Sequence, residues 1–145
     1  MSVIMETIVK VLKSIPELVD TKLQYQERCY QLLAAKMLEK EGINVSTENI
    51  CEYHVADMYL GYGRIDILAV TDDEVIIVEL KANVSFQHKE KALAQTKRYL
   101  KHYKTTRKLS GVLAMFNVSG SALNIKKVIC SPNVSKRSSE NTEKI

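Results

Sequence analysis

Two apolar runs joined by a short acidic turn occupy the middle of this chain: Arg64-Ile65-Asp66-Ile67-Leu68-Ala69-Val70, Thr71-Asp72-Asp73-Glu74 and Val75-Ile76-Ile77-Val78-Glu79-Leu80-Lys81. Runs rich in Ile and Val on either side of such a turn predict an antiparallel hairpin with a four-residue loop. A loop of that length sets Val70 opposite Val75. It then sets Asp66 opposite Glu79, with Lys81 on the same side because side chains alternate along a strand.

This opposition of two acidic side chains needs a physical explanation. Directly opposed residues in an antiparallel pair have Cβ atoms roughly 4.5–5.5 Å apart, and like charges at that distance destabilise the pair. Two such carboxylates can hold one hard divalent cation, whose charge removes the repulsion. The alternative is that Glu79 lies near a strand end and that Asp66 forms an ordinary surface ion pair with Arg64 or Lys81.

Length and composition limit the class of protein. The 145 residues fit one domain, which we place at residues 1–131, and the Ser-, Asn-, Lys- and Glu-rich residues 132–145 predict a disordered polar tail. No apolar run approaches the roughly 20 residues needed to cross a bilayer, and the N-terminal residues do not resemble a secretory signal. Cys29, Cys51 and Cys130 show no paired spacing, so we expect reduced thiols and an intracellular location, in the cytoplasm or nucleus.

The order of periodic segments predicts an α/β fold with a central mixed sheet flanked by helices. Pro16 is expected to end the first helix. The expected helices are Val3–Ser14, a second from Leu18 or Asp20 to Glu41, and Gln87–Lys104; the expected strands are 43–58, 62–70, 75–82, Gly111–Phe116 and Leu123–Cys130.

On the second predicted helix, Glu27 lies on the same face as Tyr30, Ala34 and Leu38. An ionised carboxylate that faces a core is costly unless it is paired or binds metal. Glu27 is therefore a candidate third carboxylate for the hairpin site. The alternative is a structural ion pair with a Lys or Arg.

Positive charge is concentrated on the third predicted helix. Residues 87–108 carry eight Lys or Arg against one acid, whereas the whole chain has a net charge of only +4. This pattern is typical of a surface that binds a phosphate backbone, although a solvated helix face gives the same pattern. Tyr99 on this helix either stacks on a base or packs at the edge of the core.

Four segments together resemble the PD-(D/E)xK nuclease superfamily, and more narrowly its RecB-type branch and the small stand-alone GxxExxY proteins. They are Glu27-Arg28-Cys29-Tyr30, Arg64-Ile65-Asp66, Glu79-Leu80-Lys81 and Gln95-Thr96-Lys97-Arg98-Tyr99. Two departures concern positions outside the chemistry. Gln24 stands where a Gly is expected before Glu27, and no Pro precedes Asp66.

The resemblance implies a restriction-endonuclease-like core and metal-dependent hydrolysis of phosphodiester bonds in DNA. It implies that Mg²⁺ or Mn²⁺ is held by Asp66 and Glu79, with the Leu80 carbonyl as a further ligand and Glu27 reaching the ion directly or through water. The other implied catalytic residues are Lys81 and Gln95, and the implied nucleic-acid-binding residues are Lys91, Lys97, Arg98, Tyr99 and Lys101.

Two functional alternatives stay open at this point. One is a nucleic-acid-binding module that keeps the fold without cleaving, and the other is an RNA endonuclease that uses the same site. A phosphate-metabolite hydrolase is disfavoured by the length of the basic helix. A nuclease of this size that cuts both strands would often act as a homodimer, for which the first helix is the candidate interface.

Overall fold

The computed structural model describes residues 2–18, 27–82, 86–116, 123–130 and 140–144, with the side chains of residues 2–15, 28–81, 89–116 and 125–128. This part of the chain forms three helices and one six-stranded sheet. The helices are α1 (Val3–Leu18), α2 (Glu27–Lys40) and α3 (Phe86–His102); the strands are β1 (Asn44–Val55), β2 (Met58–Val70), β3 (Glu74–Ala82), β4 (Lys108–Phe116), β5 (Leu123–Cys130) and β6 (Glu140–Lys144).

The strands lie in the sheet in the order in which they follow one another along the chain. Strands β3 and β4 are parallel and are connected through α3, whereas all other neighbours are antiparallel. The predicted α/β fold with a mixed sheet flanked by helices is therefore confirmed. Among the described residues, no helix is both long and apolar enough to cross a bilayer.

Helices cover both faces of the sheet because apolar side chains of β3 point alternately to one face and to the other. Ile76 and Val78 pack with the apolar faces of α1 and α2 in one core cluster, whereas Val75 and Ile77 pack with α3 in another. The apolar face of α1 is thus buried against the sheet, as Leu12 at 0% exposure illustrates. The proposed dimer interface on that helix is not supported by this packing.

The register of the β2–β3 hairpin agrees with the prediction up to one point. Val70 pairs with Val75, and the ladder continues as far as Ile67 opposite Val78, where it ends. We expected Asp66 to continue this ladder, but side chains take over the hydrogen bonds at its position, as described below. The predicted register is correct, and the strands separate one residue earlier than predicted.

An irregularity on the other side of β2 lies at the same level. The β1–β2 register passes from Thr47 opposite Ile67 to Asn49 opposite Ile65, and Glu48 between them has a φ of 56°. The pairing keeps the same register on both sides of Glu48, and the register shift lies further along β1, between Tyr53 and His54. Ile65 and Ile67 nevertheless pack in clusters on opposite sides of the sheet, so the regular alternation of β2 is interrupted at Asp66.

Several element boundaries differ from the sequence prediction, since β2 begins at Met58 rather than at 62 and β4 begins at Lys108 rather than at Gly111. Helix α1 continues through Pro16 to Leu18, which is possible because a proline removes one backbone hydrogen bond and only two helical residues follow it. Strand β6 lies within the predicted disordered tail and pairs with β5. Its polar composition does not preclude pairing, since the free backbone groups of a neighbouring edge are satisfied by any strand. Residues 19–26 and 131–139 lie outside the described residues.

Candidate metal and nucleic-acid site

Asp66 and Glu79 meet where β2 and β3 separate. The Asp66 N–H donates to Glu79 Oε1 at 2.9 Å, and the Leu80 N–H donates to Asp66 Oδ2 at 2.8 Å. Each carboxylate therefore accepts a backbone hydrogen bond from the opposite strand, at the level where the next ladder bonds would lie. This crossed pair of bonds holds two acidic side chains together at the end of the hairpin.

The carboxyl group of Glu79 is almost completely buried, with 2% of the residue exposed. Burial, followed by the charge of Asp66, raises the pKa of Glu79 well above its ordinary value, while the Asp66 N–H and the charge of Lys81 act in the opposite direction. An ionised carboxylate that is buried beside a second, half-buried carboxylate is unfavourable unless a cation or a proton compensates for one of the charges.

The donor atoms at this position fit a small divalent cation. Carboxylate and carbonyl oxygens are the ligands that Mg²⁺ and Mn²⁺ prefer, and a cation offsets the repulsion that raises the pKa of Glu79. Among the side chains that the structure describes, no group of three or more His, Cys, Asp or Glu is placed to hold a metal ion. The side chain of Glu27, the predicted third carboxylate, lies outside the described residues.

Lys81 follows Glu79 by two residues on β3 and is half-buried. Alternation along the strand places both side chains on the same face. The positive charge of the Lys81 ammonium group favours the ionised form of Glu79 and so acts to lower the pKa of Glu79. The structure therefore brings an acid pair and one cation to the same end of the hairpin.

Helix α3 reaches β2 through Gln95 and Tyr99. Gln95 Nε2 donates to the Tyr99 hydroxyl at 2.5 Å, and that hydroxyl donates to the Arg64 carbonyl at 2.8 Å. Burial is the main reason that the pKa of Tyr99 is raised. This chain of two hydrogen bonds fixes β2 two residues before Asp66.

The structure distinguishes between the two interpretations of Tyr99. Its exposure is 1%, and its ring lies in the core cluster beneath α3. A base cannot stack on a ring that is already covered on both faces by protein. The prediction of base stacking on Tyr99 is therefore wrong for this conformation, and the packing alternative describes the residue.

The predicted phosphate-binding residues lie on α3. Lys91, Arg98 and Lys101 are exposed and Lys97 is half-buried. The guanidinium carbon of Arg98 lies 5.5 Å from the ring centroid of Tyr53, within the range of a cation–π contact. Arg98 is thus partly engaged within the protein, while the exposed lysines are accessible to a ligand.

Comparison with known families decides the class of protein to which this site belongs. A family model described as the PD-(D/E)XK nuclease superfamily matches residues 2–128. The chain belongs to the PD-(D/E)XK nuclease superfamily. Members of this superfamily are generally hydrolytic nucleases, and they typically use divalent metals. The predicted resemblance to the PD-(D/E)XK superfamily is confirmed.

Other comparisons add little to the family assignment. The chain is similar to a crystallised protein of unknown function, AF1548, with 20% sequence identity and a TM-score of 0.39. That match covers 61% of this chain and 46% of the other, so this chain spans less than half of that protein's length. No curated protein matches the chain.

Two residues around the acid pair of this PD-(D/E)XK protein escaped the sequence analysis. Gln31 on α2 donates from Nε2 to the Asp66 carbonyl at 3.1 Å. Gly63 lies beneath two tyrosines, since a Cβ there would overlap the Tyr53 hydroxyl and lie 2.7 and 2.8 Å from two atoms of Tyr99. An isolated glycine within a strand is a known sign of such a close approach, and this signal could have identified Gly63.

A separate cavity of about 290 Å³ lies between β1 and the C-terminal end of α3. Its lining includes Cys51, His54 and His102, and the acid pair is not part of it. In a PD-(D/E)XK protein the chemistry is expected at the carboxylates rather than in this cavity. We therefore assign the candidate site to the end of the β2–β3 hairpin.

Proposed function

We propose that this protein is a metal-dependent nuclease that hydrolyses phosphodiester bonds in DNA. The observation that carries the proposal is the pair of half-buried Asp66 and buried Glu79, with crossed backbone hydrogen bonds and Lys81 two residues after Glu79. A pair of ionised acids of this kind is a liability for folding unless a cation or a proton offsets the repulsion. Membership of the PD-(D/E)XK superfamily supports this use of the pair.

In this proposal Asp66 and Glu79 hold Mg²⁺ or Mn²⁺, with the Leu80 carbonyl and Glu27 as the remaining protein ligands. When bound, such a cation supplies Lewis-acid polarisation of the scissile phosphate and lowers the pKa of the attacking water. The protein contributes a water-poor position for the carboxylate of Glu79, because this residue is 2% exposed. In such a position, electrostatic interactions with a substrate phosphate are stronger than in water.

Lys81 is proposed to stabilise the negative charge that develops on the phosphate during attack. A preorganised cation at the position where charge develops is among the strongest contributions to catalysis. Gln95 is proposed to orient the backbone or the attacking water through its amide oxygen, because its amide nitrogen already bonds to Tyr99.

The lysines of α3 are proposed to bind the nucleic-acid backbone. Lys91 and Lys101 are exposed on this helix, with Lys97 and Arg98 beside them. Contacts of this kind give affinity that falls steeply with salt and carry no sequence information. We therefore expect binding along the strand without strong sequence preference from α3.

Two further parts of the proposal concern context. We propose an intracellular, reducing compartment in the cytoplasm or nucleus, since Cys29, Cys51 and Cys130 show no paired spacing in the sequence. A homodimer is proposed only for cleavage of both strands of a duplex. Its interface would not be the apolar face of α1, which packs in the core.

The experiment that tests the proposal is a cleavage assay on single-stranded, duplex and branched DNA and on single-stranded RNA, with Mg²⁺, Mn²⁺ or EDTA. Wild type is compared with Glu79→Gln and with Glu90→Gln, which makes the same change at an exposed position on α3. Metal-dependent products from wild type and Glu90→Gln, but not from Glu79→Gln, are expected.

Two results would replace the proposal with an alternative. Cleavage restricted to RNA would make the protein an RNA endonuclease that uses the same site. Salt-sensitive binding of nucleic acid in EDTA, with no product under any metal condition, would favour a binding module that does not cleave.

A further inference from the structure

The buried amide of Gln31 contacts the site and has no part in the proposed chemistry. Gln31 lies on α2 with 4% exposure, and its Nε2 donates to the Asp66 carbonyl at 3.1 Å. The two residues are 35 positions apart in the chain. A buried amide that crosses from a helix to a strand carbonyl ties the two elements together at that point.

The polar groups of Asp66 form hydrogen bonds with three different residues. Its N–H donates to Glu79, its carbonyl accepts from Gln31, and its carboxylate accepts from the Leu80 N–H. The β2–β3 ladder ends at the preceding pair, so on the side of β3 side chains hold this peptide in place of regular strand pairing. On its other side β2 stays paired with β1 at Ile65 and Ile67. Among the side chains that hold Asp66, Gln31 is the one that comes from a helix.

The position of Gln31 on α2 connects Asp66 with Glu27, the predicted third carboxylate. It lies four residues after Glu27, which is one helical turn, and residues at this spacing share a helix face. The helix that begins with the predicted third carboxylate is therefore anchored to the peptide of Asp66 through one hydrogen bond. A displacement of α2 relative to β2 would change the position of Asp66 at the same time.

We propose that Gln31 is a positioning residue that fixes the Asp66 carboxylate for metal binding by holding the Asp66 carbonyl. This inference rests on the proposed function of the acid pair. Partners that orient metal ligands typically contribute about 10–100-fold to metal affinity or activity. Removal of the Gln31 amide should therefore weaken the metal response by about 10–100-fold, while nucleic-acid affinity changes little.

The test uses Gln31→Met, which keeps the length of the side chain and removes the donor. The matched control is Thr96→Val, because Thr96 is also a buried polar residue, at 0% exposure, and its hydroxyl donates to the Ala92 carbonyl within α3. Three quantities are measured on the full chain: amide hydrogen exchange at Asp66 and Leu80 in EDTA, the Mn²⁺ concentration that gives half of the metal-induced rise in melting temperature, and kcat and KM for cleavage.

The expected result is faster exchange of both amides in Gln31→Met, a rise of about 10–100-fold in the Mn²⁺ midpoint, and a lower kcat at nearly unchanged KM. Thr96→Val should lose stability without these changes. Unchanged amide exchange in Gln31→Met, or an equal Mn²⁺ midpoint in the two variants, would overturn the assignment of Gln31.

Failure of the proposed function gives a different result. If wild type shows no metal-induced stabilisation and no cleavage, the nuclease proposal fails. The exchange data then decide whether Gln31 positions Asp66, since that comparison is made without metal.

Discussion

Replacement of Glu79 by Gln should stabilise the protein in the absence of metal and abolish its proposed activity. The substituted amide side chain would keep the oxygen that accepts the Asp66 N–H, which lies at 2.9 Å in the native protein. Its amide nitrogen would offer a donor toward the Asp66 carboxylate. The variant therefore imitates the protonated form of Glu79, which the raised pKa favours.

The size of the stabilisation follows from the repulsion that the substitution removes. Two unit charges about 4 Å apart at an effective dielectric constant of about 20 repel one another by about 4 kcal/mol. That value is an upper limit, because wild type can relieve the repulsion by binding a proton. We expect the free energy of unfolding at pH 8 to rise by about 1–3 kcal/mol, or the melting temperature to rise by about 3–10 °C.

The pH dependence of this gain has a defined sign. The folded state raises the pKa of Glu79 above its ordinary value of 4.5, so the folded protein binds a proton that the unfolded chain releases. Wild type in EDTA therefore loses stability as the pH rises above about 4.5 through the folded pKa. Glu79→Gln lacks this dependence, and its advantage over wild type should grow with pH.

The assay is thermal unfolding between pH 5 and 9, in EDTA and in Mn²⁺, with Glu90→Gln as the control. Mn²⁺ should raise the melting temperature of wild type and of the control, and most strongly at high pH, but not that of Glu79→Gln. A variant that is less stable than wild type at pH 8 in EDTA would refute the reasoning, as would one that keeps the full Mn²⁺ response.

Three further outcomes follow from other parts of the structure. Gly63→Ala should lower the free energy of unfolding by about 1–3 kcal/mol, because the added Cβ would overlap two tyrosines. Gly111→Ala should lower it less, because the nearest atoms to a Cβ there lie at 3.3–3.5 Å. Denaturant unfolding measures both changes. Burial raises the pKa of the Cys51 thiol to about 11. Iodoacetamide at pH 8 should therefore label Cys29 in the folded protein much faster than Cys51. The raised pKa of Cys51 should also lower the free energy of unfolding as the pH rises from 9 toward 11. Lys91→Ala should reduce the slope of log affinity against log salt by about 0.9 for duplex DNA or about 0.7 for single strands.

Each of these outcomes has a result that would contradict it. Equal losses in Gly63→Ala and Gly111→Ala would mean that β2 can move away from the tyrosines at little cost. Rapid labelling of Cys51 at pH 8 would show that its environment is open to solvent. A salt slope in Lys91→Ala equal to that of wild type would remove this lysine from the nucleic-acid surface.

The sequence was sufficient to predict the parts of the fold that depend on periodicity. The hairpin register followed from the apolar runs and the length of the turn, which placed Val70 opposite Val75 as observed. The burial of Thr96 and Leu100 on α3 followed from helical spacing, and both are nearly inaccessible to solvent. These features are local, since each is determined by residues close together in the chain.

Features that depend on contacts between distant segments could not be predicted in the same way. Where the β2–β3 ladder ends, the amide of Gln31 on α2 donates to the Asp66 carbonyl. These two residues are 35 positions apart in the chain. The burial of Tyr99 requires Gly63 on β2, because a Cβ there would overlap the tyrosine. Helical spacing alone predicted only that Tyr99 lies at the edge of the core or on the nucleic-acid surface. Strand β6 depends on the free edge of β5, whereas the composition of its own residues indicated disorder.

The most direct test of the account compares metal binding with catalysis in the same preparations. Mn²⁺ binding and the rate of DNA cleavage are measured over one range of Mn²⁺ concentration for wild type, Glu79→Gln and Glu90→Gln. The account predicts that the two curves coincide for wild type and Glu90→Gln and that both responses disappear in Glu79→Gln. Cleavage that persists in Glu79→Gln, or Mn²⁺ binding that is unaffected by this substitution, would contradict the assignment of the acid pair as the catalytic metal site.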